Sequence, residues 1–249
     1  MRKILLLINL FLFSNLFGDD FQFLPERFRN NIVYFNDFEK KDAKGKINLW
    51  GIEEKINLSR IVSDNVFGKC YLTSLKLPPK TGEPDETIIL KSDKILFYKG
   101  LTFSFWWRFK NEKNFPFVLF SLGMFSGIIT NENFGQINFN LRNIKPIIGK
   151  FSVNPYNREI KNTLITISAG GLEIKMYQNS QLVLDLISPR PMNEKDIFNQ
   201  ITIGYQGKTE ILIDEILIMD RPINLLEVKD YYERKKCYYE NEIIKGGRK

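Results

Sequence analysis

The chain has 249 residues, a size that suits one large all-β domain or two small ones. It contains no His and two Cys, which removes Ser–His and Cys–His nucleophilic mechanisms and the His-based or Cys-rich zinc sites. Net charge is +7 without a Lys/Arg tract interleaved with aromatics, so nothing supports nucleic-acid binding; the mild positive field suits solubility or anionic partners.

The N-terminus reads as an address. Arg2 and Lys3 precede an apolar run over 4–13, followed by Ser14, Gly18 and the acidic pair Asp19 and Asp20. That order is the order of a secretory signal peptide, here residues 1–18, and the apolar run is short for a membrane span. An uncleaved anchor is the alternative. No later stretch is long and apolar enough to span a bilayer. The expected destination is the periplasm, the cell surface or the medium. In an oxidising compartment Cys70 and Cys237 could form a disulfide; the alternative is two separate thiols, with Cys70 in the core.

Beyond the leader, residues 19–240 are expected to form one domain. The 21 Phe and 10 Tyr favour strands. Strands are predicted over 31–38, 70–77 and 87–90, with a long polar loop over 39–69. The clearest is 101–109, where Phe103, Phe105, Trp107 and Phe109 alternate with Thr102, Ser104, Trp106 and Arg108. The first set is expected to face the core. Further strands are predicted over 117–122, 136–141, 147–153, 163–168, 172–178, 181–187, 200–205 and 210–219. Gly170-Gly171 and Asn179-Ser180 mark tight hairpin turns. Over 224–239 the period changes to helical: Leu225, Val228, Tyr231 and Tyr232 recur at that spacing, with Asn224 placed as N-cap. Residues 241–249 read as a frayed tail. Many short strands with regular turns mean a sandwich or barrel. The expected fold is therefore all-β, a two-sheet antiparallel jelly-roll sandwich with a short C-terminal helix.

Three segments in order resemble the bacterial laminin-G-like domains of the concanavalin A-like superfamily. The first runs over 33–72, with VYFNDFE, DAKGKINLWG and VFGKCYL. The second is LTFSFWWRF at 101–109. The third is ITIGY at 201–205 followed by IDEILIMDRPINLLEVKDYY at 213–232. KMYQNSQLVLDL at 175–186 is similar to the hairpin that commonly precedes that ending.

The resemblance implies candidate sites. Members of this superfamily often hold structural calcium, and the resemblance makes Asp37 and Asp214 its ligands, with Asp42 a looser third. The alternative is that these acids cap turns or pair with Lys. A sugar or peptide site is expected on the polar face of 101–109, where Ser104, Trp106 and Arg108 offer an aromatic ring beside polar groups. The alternative is that Trp106 packs beneath a loop. The aromatic and basic side chains of the last helix could dock on a partner or pack on their own domain. The segment 215–220 superficially resembles the acid strand of laminarinase-like glycosidases. Leu217, however, stands where that strand has its middle Asp, and Asp220 is shorter than the final Glu, so the paired carboxylates of glycoside hydrolysis are missing. The expected function is an exported, non-catalytic binding module for a glycan or cell-envelope component. A structural or assembly protein binding envelope proteins is the second reading, and a glycosidase-like enzyme the third.

Overall fold

The computed structural model describes residues 24–39, 46–64, 67–74, 87–95, 99–110, 116–123, 125–131, 134–140, 147–152, 162–191, 199–205 and 210–246. The expected leader, Asp42, and the last three residues of the expected tail lie outside them. In chain order the strands are β1 (Ile32–Asn36), β2 (Lys46–Asn48), β3 (Glu53–Lys55), β4 (Ile61–Asp64), β5 (Gly68–Ser74), β6 (Ile88–Lys91), β7 (Leu101–Phe109) and β8 (Phe117–Leu122). They continue as β9 (Phe125–Ile129), β10 (Phe134–Phe139), β11 (Ile147–Ser152), β12 (Thr163–Gly170), β13 (Glu173–Gln178), β14 (Gln181–Ile187), β15 (Gln200–Tyr205) and β16 (Glu210–Met219). One helix, α1 (Leu225–Gly246), follows.

Among the described residues these strands form two antiparallel sheets. The nine-stranded sheet runs β14-β13-β12-β7-β16-β1-β2, with β5 also on β16 and β4 on β5. The seven-stranded sheet runs β11-β10-β9-β8-β15-β6-β3. The expected all-β two-sheet sandwich with a C-terminal helix is what the chain forms.

Alternation in β7 decides its place. Phe103, Phe105 and Trp107 enter the core between the sheets, with Phe109 packed against it. Phe105 meets Phe120 of β8 edge to face at 6.0 Å, so the two sheets are joined through aromatic contacts. On the opposite face Trp106 joins a second apolar cluster with Phe28, Phe35, Leu164, Leu217, Val228, Tyr231 and Tyr239. The nine-stranded sheet is thus buried on both faces, and α1 covers its outer one.

The start of α1 is a capping box. Glu227 N–H donates to Asn224 Oδ1 at 3.1 Å, and Asn224 N–H donates back to Glu227 Oε2 at 3.0 Å. Arg221 binds both Glu227 oxygens, and Ser168 Oγ of β12 holds both the N–H and the C=O of Ile223. These bonds fix the direction in which the helix leaves the sheet. Val228, Tyr231, Lys235 and Tyr239 then recur on its inner side. Leu225, expected in that stripe, is 43% exposed, and the helix runs on through Gly246, past the predicted end at 239.

The sequence expectation fails at two places. The predicted polar loop over 39–69 contains β2, β3 and β4. These have three or four residues, carry Lys46, Glu53, Glu54 and Lys55, and β2, β3 and β4 all lie at sheet edges, where period-two alternation is too brief to see. Strand β9 was also absent from the prediction. Its core-facing row is Phe125, Gly127 and Ile129, and Gly127 hides the pattern. A Cβ there would lie 2.2 Å from the Phe120 ring, so the glycine makes room for an aromatic across the pair. The hairpin turns fall at Gly171-Leu172, one residue beyond expectation, and at Asn179-Ser180 as expected; Gly171 and Asn179 both have positive φ.

Candidate functional site

Ser104, Trp106 and Arg108 share one face of β7, but that face is closed. Ser104 is fully buried and bonded to the Ile165 carbonyl and the Thr166 hydroxyl. Trp106 is 2% exposed. It stacks on Tyr232 at 5.6 Å and meets Tyr239 edge-on at 5.2 Å, both from α1. Arg108 is ion-paired with Asp64 and lies over the Phe67 ring. The expected open aromatic and arginine surface is therefore corrected: its cover is the C-terminal helix. The aromatic strip on that helix is spent largely on its own domain.

Asp37 and Asp214 are both buried and lie within each other's field. Both carry protein partners. Asp214 Oδ1 accepts from the Glu215 N–H at 2.9 Å, and Oδ2 accepts from the Tyr239 hydroxyl at 2.7 Å. Asp37 Oδ1 caps the Glu39 N–H. The nearby cation is Lys235, whose Nζ lies 3.2 Å from Glu215 Oε2. Among the described residues no group of three or more His, Cys, Asp or Glu could hold a metal ion.

This acid and lysine cluster has a local cause. Register along β7 and β16 shifts between Asp214 and Leu217, and Glu215 takes φ 52°. A left-handed non-glycine residue costs about 1–2 kcal/mol, so the surroundings must hold it. Desolvation raises the Asp214 carboxyl well above its usual range and pushes Glu215 up to about 7, against the pull of Lys235. In the sequence Glu215 stands in the last strand of the laminin-G-like ending and Lys235 among the basic residues of the closing helix. No spacing signal joins residues 20 apart on a strand and a helix.

The thiols are separate. Cys70 is buried on β5, where burial pushes its thiol up to about 12, and Cys237 is exposed on α1. Of the two readings, separate thiols with Cys70 in the core is the one this structure has.

A more open polar surface lies on the other sheet. Strand registers align Asn138 of β10, Ser126 of β9, Ser121 of β8 and Thr202 of β15 in one row across four adjacent strands. At ordinary interstrand spacing the row spans roughly 14 Å. Ser121, Ser126 and Asn138 are half-buried, and Thr202 at the end of the row is buried. Gln136 donates to Asn138 at 2.5 Å, and Gln200 donates to Thr202 at 3.1 Å. Exposed Ile148 and Lys150 of β11 continue the same face beyond Asn138 and Gln136. The face offers hydroxyl and amide groups with two-way hydrogen-bonding capacity beside apolar patches. The alternation is visible in each strand, but the alignment depends on registers that no local pattern fixes.

Among the described residues no helix is long and apolar enough to cross a membrane. No family model matches the chain, and no curated protein matches it by sequence. Solved structures do match its fold. The botulinum neurotoxin serotype D binding domain aligns with TM-score 0.63 and 15% identity, over 82% of this chain and 52% of that one. The binding domain of Paraclostridial Mosquitocidal Protein 1 aligns with TM-score 0.62 and 17% identity, over 82% and 52%. The serotype D ligand-binding domain in complex with N-acetylneuraminic acid aligns with TM-score 0.62 and 15% identity, over 82% and 51%. The chain spans about half the length of these structures, and at such identities it shares their β-sandwich fold.

Proposed function

We propose that this chain is an exported, non-catalytic binding module of laminin-G-like type that recognises a glycan on the outer face of the seven-stranded sheet. The observation that carries this reading is the row Asn138, Ser126, Ser121 and Thr202, flanked by Gln136 and Gln200. Sugar hydroxyls donate and accept together, and a row of amides and hydroxyls can answer both. The fold likeness supports it: one similar domain holds N-acetylneuraminic acid, and another belongs to botulinum neurotoxin type C, whose cell entry depends on interaction with two ganglioside molecules. Residues 1–18 support export.

A glycan array followed by calorimetry tests the reading. Saturable binding is expected in the parent chain and at least a tenfold loss in Asn138→Ala/Gln136→Ala, with the urea midpoint unchanged. Binding that ignores the row, or no glycan binding at all, overturns it. A second reading, assembly with envelope proteins, is favoured by edge strand β14, where Leu182 is 43% and Ile187 70% exposed. One stoichiometric protein partner without a glycan signal would select it.

A further inference from the structure

The interface between α1 and β16 holds a reactive pair. Lys235 Nζ lies 3.2 Å from Glu215 Oε2, and the two side chains are 5% and 0% exposed. The carboxyl carbon of Glu215 is one bond from that oxygen. Asp214 precedes Glu215 in the chain and, with it, exerts its charge on Lys235. Tyr239 donates to Asp214, and the rings of Tyr238 and Tyr239 each stand 4.7 Å from the ammonium. Tyr231 Oη is buried there between Trp106 and Glu215, and both Glu215 carboxyl oxygens are shut away from solvent.

We infer that Lys235 and Glu215 condense to a covalent side-chain amide that staples α1 to the nine-stranded sheet. Four features favour this over a lasting ion pair. The reacting groups are already held together, so the encounter entropy of an intermolecular condensation is prepaid. The site is sealed, so water does not compete with the amine or hydrolyse the product. Condensation replaces two buried charges by one neutral amide, removing a desolvation penalty that the ion pair only partly offsets. Glu215, left-handed and inside the register shift of β16, has its carboxyl against Lys235 on the helix.

The chemistry balances without any co-reactant. Proton transfer from the ammonium to the Glu215 carboxylate gives the neutral amine and the carboxylic acid. Burial favours the carboxylic acid at Glu215, whereas Glu215 and Asp214 hold Lys235 as the ammonium, so the neutral pair is a minor state through which the condensation passes. The amine lone pair attacks the carboxyl carbon, and the nitrogen–carbon bond forms. The nitrogen passes a proton to the departing hydroxyl, which leaves as water, and the product is a secondary amide.

Intact-mass measurement of the purified full chain tests this directly, followed by tandem mass spectrometry of a proteolytic digest. The expected mass is one water below that of the sequence from its observed N-terminus, with a branched peptide joining Lys235 to Glu215. Lys235→Met restores the full mass. Glu215→Gln, whose amide can also serve as acyl donor, loses one ammonia instead. Full sequence mass in the parent chain overturns the inference, as does a missing water that persists in Lys235→Met. Because the parent chain alone decides the question, a variant that fails to fold leaves it decidable.

Discussion

Trp106→Ala is expected to destabilise the fold, and any loss of ligand binding should follow only from that. The indole is 2% exposed between β7 and α1, so its removal leaves a cavity that the sheet on one side and the helix on the other can only partly fill. Large aromatic truncations in such sites cost about 3–5 kcal/mol. The stack on Tyr232 and the edge contact with Tyr239 place the expectation in the upper half, since each such ring pair adds roughly 0.5–1.5 kcal/mol beyond area burial. Against a typical domain stability of about 5–15 kcal/mol this is a large fraction. Urea denaturation followed by circular dichroism measures it: the midpoint should fall sharply with the slope unchanged. Trp106→Phe keeps a ring and should lose less. A destabilisation below about 1 kcal/mol, with ligand binding lost in a folded chain, would refute the burial argument and return Trp106 to a binding role.

Asn224→Ala removes the capping side chain of α1 and should cost about 1 kcal/mol in thermal or urea unfolding. Burial raises the Glu227 carboxyl, but Arg221 and the Asn224 N–H outweigh it and hold the group below its usual range. A depressed carboxyl stabilises above its unfolded pKa and loses that contribution as pH falls through the folded one. Glu227→Gln should therefore flatten the acid limb of a stability–pH curve below about pH 4.5. In Lys235→Met the amide cannot form, and Glu215 is left as a free carboxyl buried beside Asp214 with no cation; an unpaired buried charge of this kind costs about 3–5 kcal/mol at neutral pH. Burial raises both carboxyls, and a raised carboxyl stabilises below its unfolded value and loses that stability as pH rises through the folded one. The variant should accordingly be most stable near pH 4–5 and weaken through pH 7, as urea midpoints across that range will read. Gly127→Ala drives a methyl into the Phe120 ring and should cost roughly 1–3 kcal/mol, whereas Gly171→Ala meets open space and pays only for its positive φ.

How far the sequence speaks follows from how local each determinant is. Strand β7 announces itself because apolar residues recur at every second position over nine residues, and that row enters the core between the sheets. Helix α1 is legible from Asn224 onward because a capping box and a 3.6-residue stripe act within one segment. The turn at Asn179-Ser180 is legible for the same reason. What fails is nonlocal. The face carrying Ser104, Trp106 and Arg108 looks polar enough to meet solvent, since two of its three side chains are hydrophilic. Only the return of a helix from more than 100 residues downstream closes it; the hydroxyl then bonds to Thr166, and one end of the guanidinium pairs with Asp64.

The same reasoning separates the two candidate surfaces. A polar residue under α1 must find a protein partner or a covalent fate, because water is excluded; Ser104 and Asp214 have found the first, and Glu215 is assigned the second. A polar residue on the outer face of the seven-stranded sheet has no such obligation. Ser121, Ser126 and Asn138 stay half-buried and share their row with apolar neighbours such as Ile148 and Ile89. A surface strand needs hydrophilic side chains there only for solubility, which Lys and Glu serve well. Small hydroxyls and amides aligned over four strands serve a bound polyol better, since they approach closely and carry no charge to desolvate. That distinction makes the seven-stranded sheet, and not the tryptophan face, the surface on which a ligand is to be sought.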